Sequence, residues 1–166
     1  MGTNLIKEAG FIFFDFDGVI KKSVEVKAKA FEKLFLPFGQ EIALKVKKHH
    51  EENGGMSRYE KFPIYLNFAN INPTSELLSI FEKRFSEQVK QAVINSDWVE
   101  GILNYFNENF KRQTFFIVSA TPQQEIEEIL SELEIDIFFN EIIGSPTDKC
   151  IAVQSILESN NINPEN

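Results

Sequence analysis

The sequence FIFFDFDGVI at residues 11–20 sets four apolar residues directly before two aspartates and a glycine. A short run that is apolar at every position is typical of a strand in a parallel sheet covered by helices. Positions i and i+2 of an extended chain face the same way, so the Asp15 and Asp17 carboxylates can converge on one point. Two close carboxylates coexist best around a hard cation, or with one of them protonated. The stretch therefore predicts a buried strand that delivers an acid pair to a site.

Two further apolar runs, at residues 115–118 and more weakly at 141–144, are each followed by a helical pattern. Strands that alternate with helices indicate an α/β fold, with a Rossmann-like parallel sheet and helices on both faces. The long segment between the first two runs carries helix-spaced apolar residues interrupted by proline and glycine, without a clear strand. We therefore predict a core of residues 1–20 and 97–166, and an inserted all-helical domain of residues 21–96.

Polar side chains stand at both later strand-to-helix junctions, where Ser119 ends the second apolar run and Lys149 opens the last helix. We expect Thr121 to cap the helix after Ser119, with Pro122 at its first position and Gln124 completing a capping box. A hydroxyl backed by the amides of a helix N-terminus is an anion site. A lysine at a helix start is unfavourable for the helix dipole unless it faces an anion. Because ligands bind beyond the carboxyl ends of parallel strands, these groups and the acid pair are expected at one site.

Taken in this order, the motifs resemble those of the haloacid dehalogenase superfamily of phosphohydrolases over nearly the whole chain. The resemblance implies that Asp15 is a nucleophile, that Asp17 is a general acid and base, and that both bind Mg²⁺. The second acid favours a phosphatase over a dehalogenase, because a halide leaving group needs no proton. The helical insertion is similar to the cap of that family. The implied phosphate-binding set is Gly18, Ser119, Ala120 and Lys149, and Ser119 and Lys149 are also implied to be catalytic.

The resemblance stops short of the fourth motif of the family, an acidic loop that follows another strand and completes the Mg²⁺ site. The last residues, 160–166, resemble the segment that precedes that strand, so we expect a core that is truncated at its C-terminus. Asp148 and Glu165 are not placed to replace the missing acids. The expected consequences are weaker metal binding and a bare hydrophobic edge at residues 11–14, through which the chain can self-associate.

One segment of the inserted domain is expected to contact the substrate. Ser57 is predicted to cap a helix, with Glu60 completing a capping box. In relatives with this cap the region faces the active site, so the resemblance implies that Arg58 and Lys61 contact an anionic group of the substrate. The alternative is that these two cations are a solvated surface pair.

Composition narrows the class of protein. The 166 residues are 43% hydrophobic and carry a net charge of -8, which argues against a disordered chain and against nucleic acid as a partner. No apolar run approaches the roughly 20 residues needed to span a membrane, and no signal peptide is evident. The single cysteine, Cys150, is interpreted as a packing residue, and a cytoplasmic location is expected. His49 and His50 point about 100° apart on a helix, so we predict packing or surface roles rather than metal binding.

The sequence thus predicts a Mg²⁺-dependent phosphohydrolase that acts on a small phosphorylated metabolite, such as a sugar phosphate or phosphoglycolate, through an aspartyl-phosphate. One alternative is a phosphosugar mutase of the β-phosphoglucomutase type, in which a sugar hydroxyl rather than water accepts the phosphoryl group. The other is a truncated, catalytically impaired family member that acts as a binding module.

Overall fold

The structure is a computed structural model that describes residues 8–163. Backbone contacts divide the chain into two compact units, one formed by the residues up to Ile20 and from Trp98 on, and one by Lys21–Asp97. The second unit is inserted into the first. The sequence predicts that the inserted domain spans residues 21–96.

In chain order the elements are β1 (Phe11–Phe14), α1 (Val24–Phe35), α2 (Gln40–Glu52), α3 (Arg58–Phe68), α4 (Ser75–Ile94), α5 (Ile102–Asn109), β2 (Thr114–Pro122), α6 (Gln123–Glu132), β3 (Phe139–Ser145) and α7 (Lys149–Ser159). Single 3₁₀ turns at Leu36–Phe38 and Asp136–Phe138 precede α2 and β3. The three strands belong to the first unit, and α1–α4 make up the second. Within residues 8–163, no helix has the length and apolar character needed to cross a membrane.

The first unit is built on a parallel sheet with the strand order β1-β2-β3, which confirms the predicted α/β class. β1 pairs with β2 in unbroken register, from Phe11 opposite Thr114 to Phe14 opposite Ile117. In the described part of the chain β1 lies at an edge of the sheet, and Phe11 is 38% exposed. Self-association through this edge stays a prediction.

Phenylalanine side chains explain why the sheet carries helices on both faces. Phe116 of β2 lies in a buried cluster with Ala152 and Ile156 of α7. Its neighbour Phe115 projects to the opposite face, because successive side chains of a strand alternate. The Phe115 ring packs there against Phe106 of α5, with 5.6 Å between the ring centroids. Burying one such ring stabilises the fold by about 1.5–3 kcal/mol.

The start of α6 differs from the prediction. β2 continues through Thr121 to Pro122, and the helix begins at Gln123 without a side-chain cap. The Thr121 hydroxyl donates to Asp17 instead, and the Gln124 side chain bonds along the helix surface. The predicted capping box is therefore wrong, because a contact between distant residues takes the hydroxyl that the local pattern assigned to the helix.

The start of α7 is confirmed at Lys149, where the Asp148 carboxylate caps the helix by accepting from the Cys150 and Ile151 amides at 2.8 and 3.3 Å. Cys150 is exposed, so its interpretation as a packing residue is wrong. Position 150 lies about 200° around the helix from the buried Ala152, which is the residue that faces the sheet.

The second unit is all-helical and encloses an aromatic core. Phe31 of α1 and Phe85 of α4 stack with 3.9 Å between their centroids. The predicted capping box at the start of α3 is confirmed, with Ser57 and Glu60 bonding each other's backbone amides. The other rings of this core belong to Phe35, Phe62, Tyr65 and Phe81.

Three charged or polar side chains are buried beside these rings. Lys61 Nζ donates to His50 Nδ1 at 2.9 Å, and the two residues are 1% and 4% exposed. Arg58, also buried, donates to Ser86 Oγ at 2.5 Å and lies 4.7 Å from the centroid of the Phe85 ring. The alternative that Arg58 and Lys61 form a solvated surface pair is therefore wrong. His50 has the packing role that was predicted for it. The predicted contact of Arg58 and Lys61 with the substrate stays a prediction.

We predict that acid weakens this unit through His49. Burial and the nearby Lys61 ammonium lower the pKa of His49, while Glu52 opposes the shift. Between that lowered pKa and the ordinary value of about 6.5, the unfolded chain binds more protons than the folded one. The free energy of unfolding should therefore fall as the pH is lowered through this range.

Urea unfolding followed by far-ultraviolet circular dichroism at several pH values measures this dependence. His49→Gln keeps a polar side chain but removes the titration, so its unfolding free energy should change less with pH than that of the wild type. Equal pH slopes for the two proteins would contradict the assignment, whatever their absolute stabilities.

Candidate active site

The acid pair lies immediately beyond β1. Asp15 Oδ1 accepts the Phe16 amide at 2.7 Å, and the Phe16 carbonyl accepts the amides of Val19 and Ile20 at 3.3 and 2.9 Å. Phe16 stands between the two acids in the sequence. Its side chain is fully buried, as expected if it points away from them. Gly18 has φ 78°, a conformation that glycine adopts without steric cost, and so lets the chain turn here.

Lys149 at the start of α7 contacts the first aspartate, with 2.7 Å between Lys149 Nζ and Asp15 Oδ2. Both Asp15 oxygens are therefore engaged, one by the lysine and one by the Phe16 amide. The side chains of Lys149 and Asp15 remain 32% and 37% exposed. Ion pairs that water can reach contribute little to stability. The contact is thus better suited to orienting the carboxylate than to holding the fold together.

The end of β2 contacts the second aspartate. The Thr121 hydroxyl donates to Asp17 Oδ2 at 3.4 Å, and the Thr121 amide donates to Ser119 Oγ at 3.1 Å. Ser119 and Thr121 are both buried. A hydroxyl that accepts a hydrogen bond in this way keeps its own hydrogen for donation to another oxygen. The hydrogen of the Ser119 hydroxyl therefore remains available for donation to another oxygen.

β3 passes very close to the end of β2 at Gly144. A Cβ added to Gly144 would lie 2.6 Å from the Thr121 carbonyl oxygen and 2.7 Å from the Gln123 backbone. One residue later, the Ser145 hydroxyl donates to the Ala120 carbonyl at 3.0 Å. The Ser145–Pro146 peptide that leads on toward α7 is cis. The end of β2 and the segment that leads to Lys149 are therefore fastened to each other.

The four predicted catalytic residues occupy the expected strand ends. Contacts join Lys149 to Asp15, and Ser119 to Asp17 through Thr121. The predicted phosphate-binding residues Gly18 and Ala120 lie in the turn after β1 and near the end of β2. The structure thus shows two sets of contacts at this edge of the sheet, and the chemical roles of the residues stay predictions.

Sequence reasoning missed Thr121 as a site residue. Ser119 and Thr121 are two positions apart at the end of an apolar strand, which repeats the spacing of Asp15 and Asp17. Side chains at this spacing share a side of the extended chain, so the repeated pattern was a usable signal. Gly144 carried no comparable signal, because its role depends on a contact with a distant segment.

The donor set at the acid pair suits Mg²⁺. Among residues 8–163, no group of three or more histidine, cysteine, aspartate and glutamate side chains is arranged to hold a metal ion. Mg²⁺ in phosphate-handling sites is commonly held by one or two carboxylates, with water and phosphate oxygens completing its coordination. Asp15 and Asp17 supply two carboxylates of this kind, and so fit a metal that is completed by the substrate.

Comparison with known proteins settles the family. Residues 12–166 match the family model described as haloacid dehalogenase-like hydrolase. The chain belongs to this family. The family confirms the resemblance inferred from the motifs at residues 15–18, 119 and 149, and makes the chain a hydrolase. A comparison with curated proteins gives no match.

Solved structures share the fold of this haloacid dehalogenase-like hydrolase at low sequence identity. A provisionally assigned phosphoglycolate phosphatase from Haemophilus somnus is 15% identical, with a TM-score of 0.69 over 95% of this chain and 74% of that one. A provisionally assigned β-phosphoglucomutase from Thermotoga maritima is 21% identical, with a TM-score of 0.61 over 93% and 72%. The provisionally assigned hydrolase YfnB from Bacillus subtilis, described as bound to magnesium, is 16% identical, with a TM-score of 0.58 over 82% and 65%.

We predict that Gly144→Ala destabilises this hydrolase, because the new methyl group would meet backbone atoms that cannot rotate away. Overpacking of this kind costs about 1–3 kcal/mol. Thermal unfolding should show a melting temperature several degrees lower, since about 1 kcal/mol corresponds to roughly 2–8 °C in domains of this size. Gly10→Ala is the matched control, because no described heavy atom lies within 4 Å of a Cβ built there. Equal melting temperatures for the two variants would refute the close approach at Gly144.

Proposed function

We propose that this hydrolase removes phosphate from a small phosphorylated metabolite, such as a sugar phosphate or phosphoglycolate, through an aspartyl-phosphate intermediate. The observation that carries the proposal is the contact between Lys149 and Asp15, which places an ammonium against a carboxylate at the carboxyl edge of a parallel sheet. The phosphatase assigned to the Haemophilus somnus relative agrees with this chemistry.

In the first half of the reaction, an Asp15 oxygen attacks phosphorus and the bond from phosphorus to the leaving oxygen breaks. Asp17, protonated at this stage, gives its proton to the leaving oxygen. The Thr121 hydroxyl bonded to Asp17 Oδ2 would hold that carboxyl group in place. Lys149 and the Ser119 hydroxyl would stabilise the negative charge on the phosphoryl oxygens.

In the second half, Asp17 takes a proton from a water molecule that attacks the same phosphorus. The Asp15–phosphorus bond breaks, which regenerates the carboxylate and releases inorganic phosphate. Asp15 and Asp17 would hold Mg²⁺, which supplies charge screening between the carboxylates and the phosphoryl group. The magnesium described in the Bacillus subtilis relative supports this choice of metal.

We predict that Asp15→Asn lowers turnover of p-nitrophenyl phosphate with Mg²⁺ by on the order of 10³-fold or more, because an amide cannot form the intermediate. Asp17→Asn should instead accumulate the intermediate. The p-nitrophenolate group leaves readily without a proton, whereas the attacking water still needs a base. Mass spectrometry after acid quenching should then find one phosphoryl group on the peptide that contains Asp15.

The matched control is Asp136→Asn, which removes an exposed acid from the 3₁₀ turn before β3 in the same unit. Its turnover should equal that of the wild type. Full activity of Asp15→Asn, or a phosphoryl group on any other residue, would end the aspartyl-phosphate proposal. Absence of turnover in the wild type with Mg²⁺ would favour the binding-module alternative.

The fold similarity to an assigned β-phosphoglucomutase keeps a mutase as the second candidate. The two reactions share the first half and differ in whether water or a sugar hydroxyl attacks the intermediate. We predict that a sugar 1-phosphate incubated with the enzyme and Mg²⁺ yields inorganic phosphate and free sugar. Chromatographic separation of the products distinguishes the phosphatase from the mutase, because accumulation of the isomeric sugar 6-phosphate would identify a mutase.

A further inference from the structure

The pairing of β2 with β3 is interrupted beside the site. Val118 pairs with Ile143, and the next pair along is Pro122 with Ser145. Between these pairs β2 has three residues, 119–121, whereas β3 has only Gly144. The residues that leave the regular register are thus those that carry the Ser119 and Thr121 side chains. Some other group has to hold this irregular segment against β3.

The side-chain amide of Gln123 bonds the backbone of β3 at this interruption. Its Nε2 donates to the Ile142 carbonyl at 2.9 Å, and its Oε1 accepts the Gly144 amide at 2.5 Å. The same Nε2 also donates to Glu127 Oε1, one turn along α6, at 2.6 Å. These two backbone groups flank Ile143 and point to the same side of the strand. They are the pair that one residue of a neighbouring parallel strand would bond through its own N–H and C=O. The side-chain amide of Gln123 therefore pairs with β3 as the backbone of a strand residue does.

Two further contacts join the same segments. The Gln123 backbone lies against Gly144 so closely that no Cβ fits there, and the Ser145 hydroxyl donates to the Ala120 carbonyl at 3.0 Å. We call Gln123, Gly144 and Ser145 the strand-end clamp. The clamp connects the segment that carries Ser119 and Thr121 to the end of β3, four residues before Lys149.

We infer that Gln123 is a positioning residue, which holds Ser119 and Thr121 in register with Lys149 through its amide bonds to β3. The inference rests on the proposed function, in which Ser119 and Lys149 act on one phosphoryl group and Thr121 holds the acid beside it. The oxygens of that group are fixed relative to each other, so a shift of the end of β2 past β3 would misplace the hydroxyl relative to the ammonium. A displacement of about 1 Å in such a site can lower a rate by on the order of 10²-fold.

The adjacent glutamine provides a matched control. Gln124 is exposed in the same first turn of α6, and its side chain donates to Glu128 of the same helix at 2.9 Å. Gln123→Ala and Gln124→Ala therefore each remove an amide that bonds a glutamate four residues further along α6, and only the first also removes the bonds to β3. Gln123→Glu keeps the size and the acceptor oxygen, but when ionised it presents no donor to the Ile142 carbonyl and places a second carboxylate beside Glu127.

Steady-state kinetics with p-nitrophenyl phosphate and Mg²⁺, run well below the melting temperature of each variant, test the inference. We expect kcat to fall on the order of tenfold in Gln123→Ala, and to stay within about twofold of the wild type in Gln124→Ala. Gln123→Glu should lose activity near pH 8 and recover part of it relative to the wild type as the pH is lowered toward about 5. Its protonated carboxyl group regains a donor to β3 and also loses its repulsion with Glu127. Gln124→Glu places the same like-charge pair against Glu128 and should keep the wild-type pH profile, which separates loss of the bond to β3 from repulsion along α6.

Amide hydrogen exchange measured by NMR gives a readout that is independent of turnover. The Gly144 amide should exchange at least about tenfold faster in Gln123→Ala, and at the wild-type rate in Gln124→Ala.

If the wild type is active and the two alanine variants have equal kcat values, the positioning role is overturned and the proposed function still stands. If the wild type shows no turnover, the proposed function fails. In that case, faster exchange of the Gly144 amide in Gln123→Ala would still support the clamp. Unchanged exchange would overturn the clamp. If Gln123→Ala does not fold, Gln123→Glu and Gln124→Glu carry the kinetic comparison.

Discussion

Parallel strand pairing is the constraint on which the site depends. Asp15 and Lys149 are 134 positions apart in the sequence, yet their charged atoms lie 2.7 Å apart. They meet because β1, β2 and β3 run in the same direction, so that their carboxyl ends share one edge of the sheet. Phe14, the one buried residue of β1, secures this arrangement, since it lies directly before Asp15 and pairs with Ile117 of β2. Packing of the strand against β2 thus places the acids at the same edge of the sheet as the lysine and the hydroxyls.

At the carboxyl edge, polar groups satisfy one another in short local contacts. The Phe16 amide bonds Asp15, the Thr121 amide bonds Ser119, and the Ser145 hydroxyl bonds the Ala120 carbonyl. Within residues 8–163, no buried side-chain nitrogen or oxygen is left without a hydrogen-bond partner. Groups that are held in this way need little rearrangement when charge develops on a substrate. The contacts that satisfy these polar groups on burial would therefore also reduce the rearrangement that the proposed chemistry requires.

The sequence predicts what depends on neighbours in the chain. The bounds of β1 follow from an apolar run that ends abruptly at Asp15, and the capping box at Ser57 needs only a glutamate three residues later. The start of α6 was predicted wrongly because Thr121 has two possible partners, and only the folded chain places Asp17 beside it. Gln123 and Gly144 were overlooked for the same reason. Their partners lie about twenty positions away, and no local pattern marks a side chain that bonds another strand's backbone.

The irregular end of β2 reflects a conflict between pairing and chemistry. A strand that continued in register would commit its peptide groups to the ladder and alternate its side chains between the two faces of the sheet. The chain leaves that register at residues 119–121, where Thr121 contacts Asp17, and a lost ladder bond with no replacement costs about 1–3 kcal/mol when buried. The Gln123 amide and the Ser145 hydroxyl provide replacements from side chains, which do not restrict the path of the backbone. A side-chain amide that takes the place of the N–H and C=O of a strand residue thus lets the end of β2 leave the register and still be held against β3.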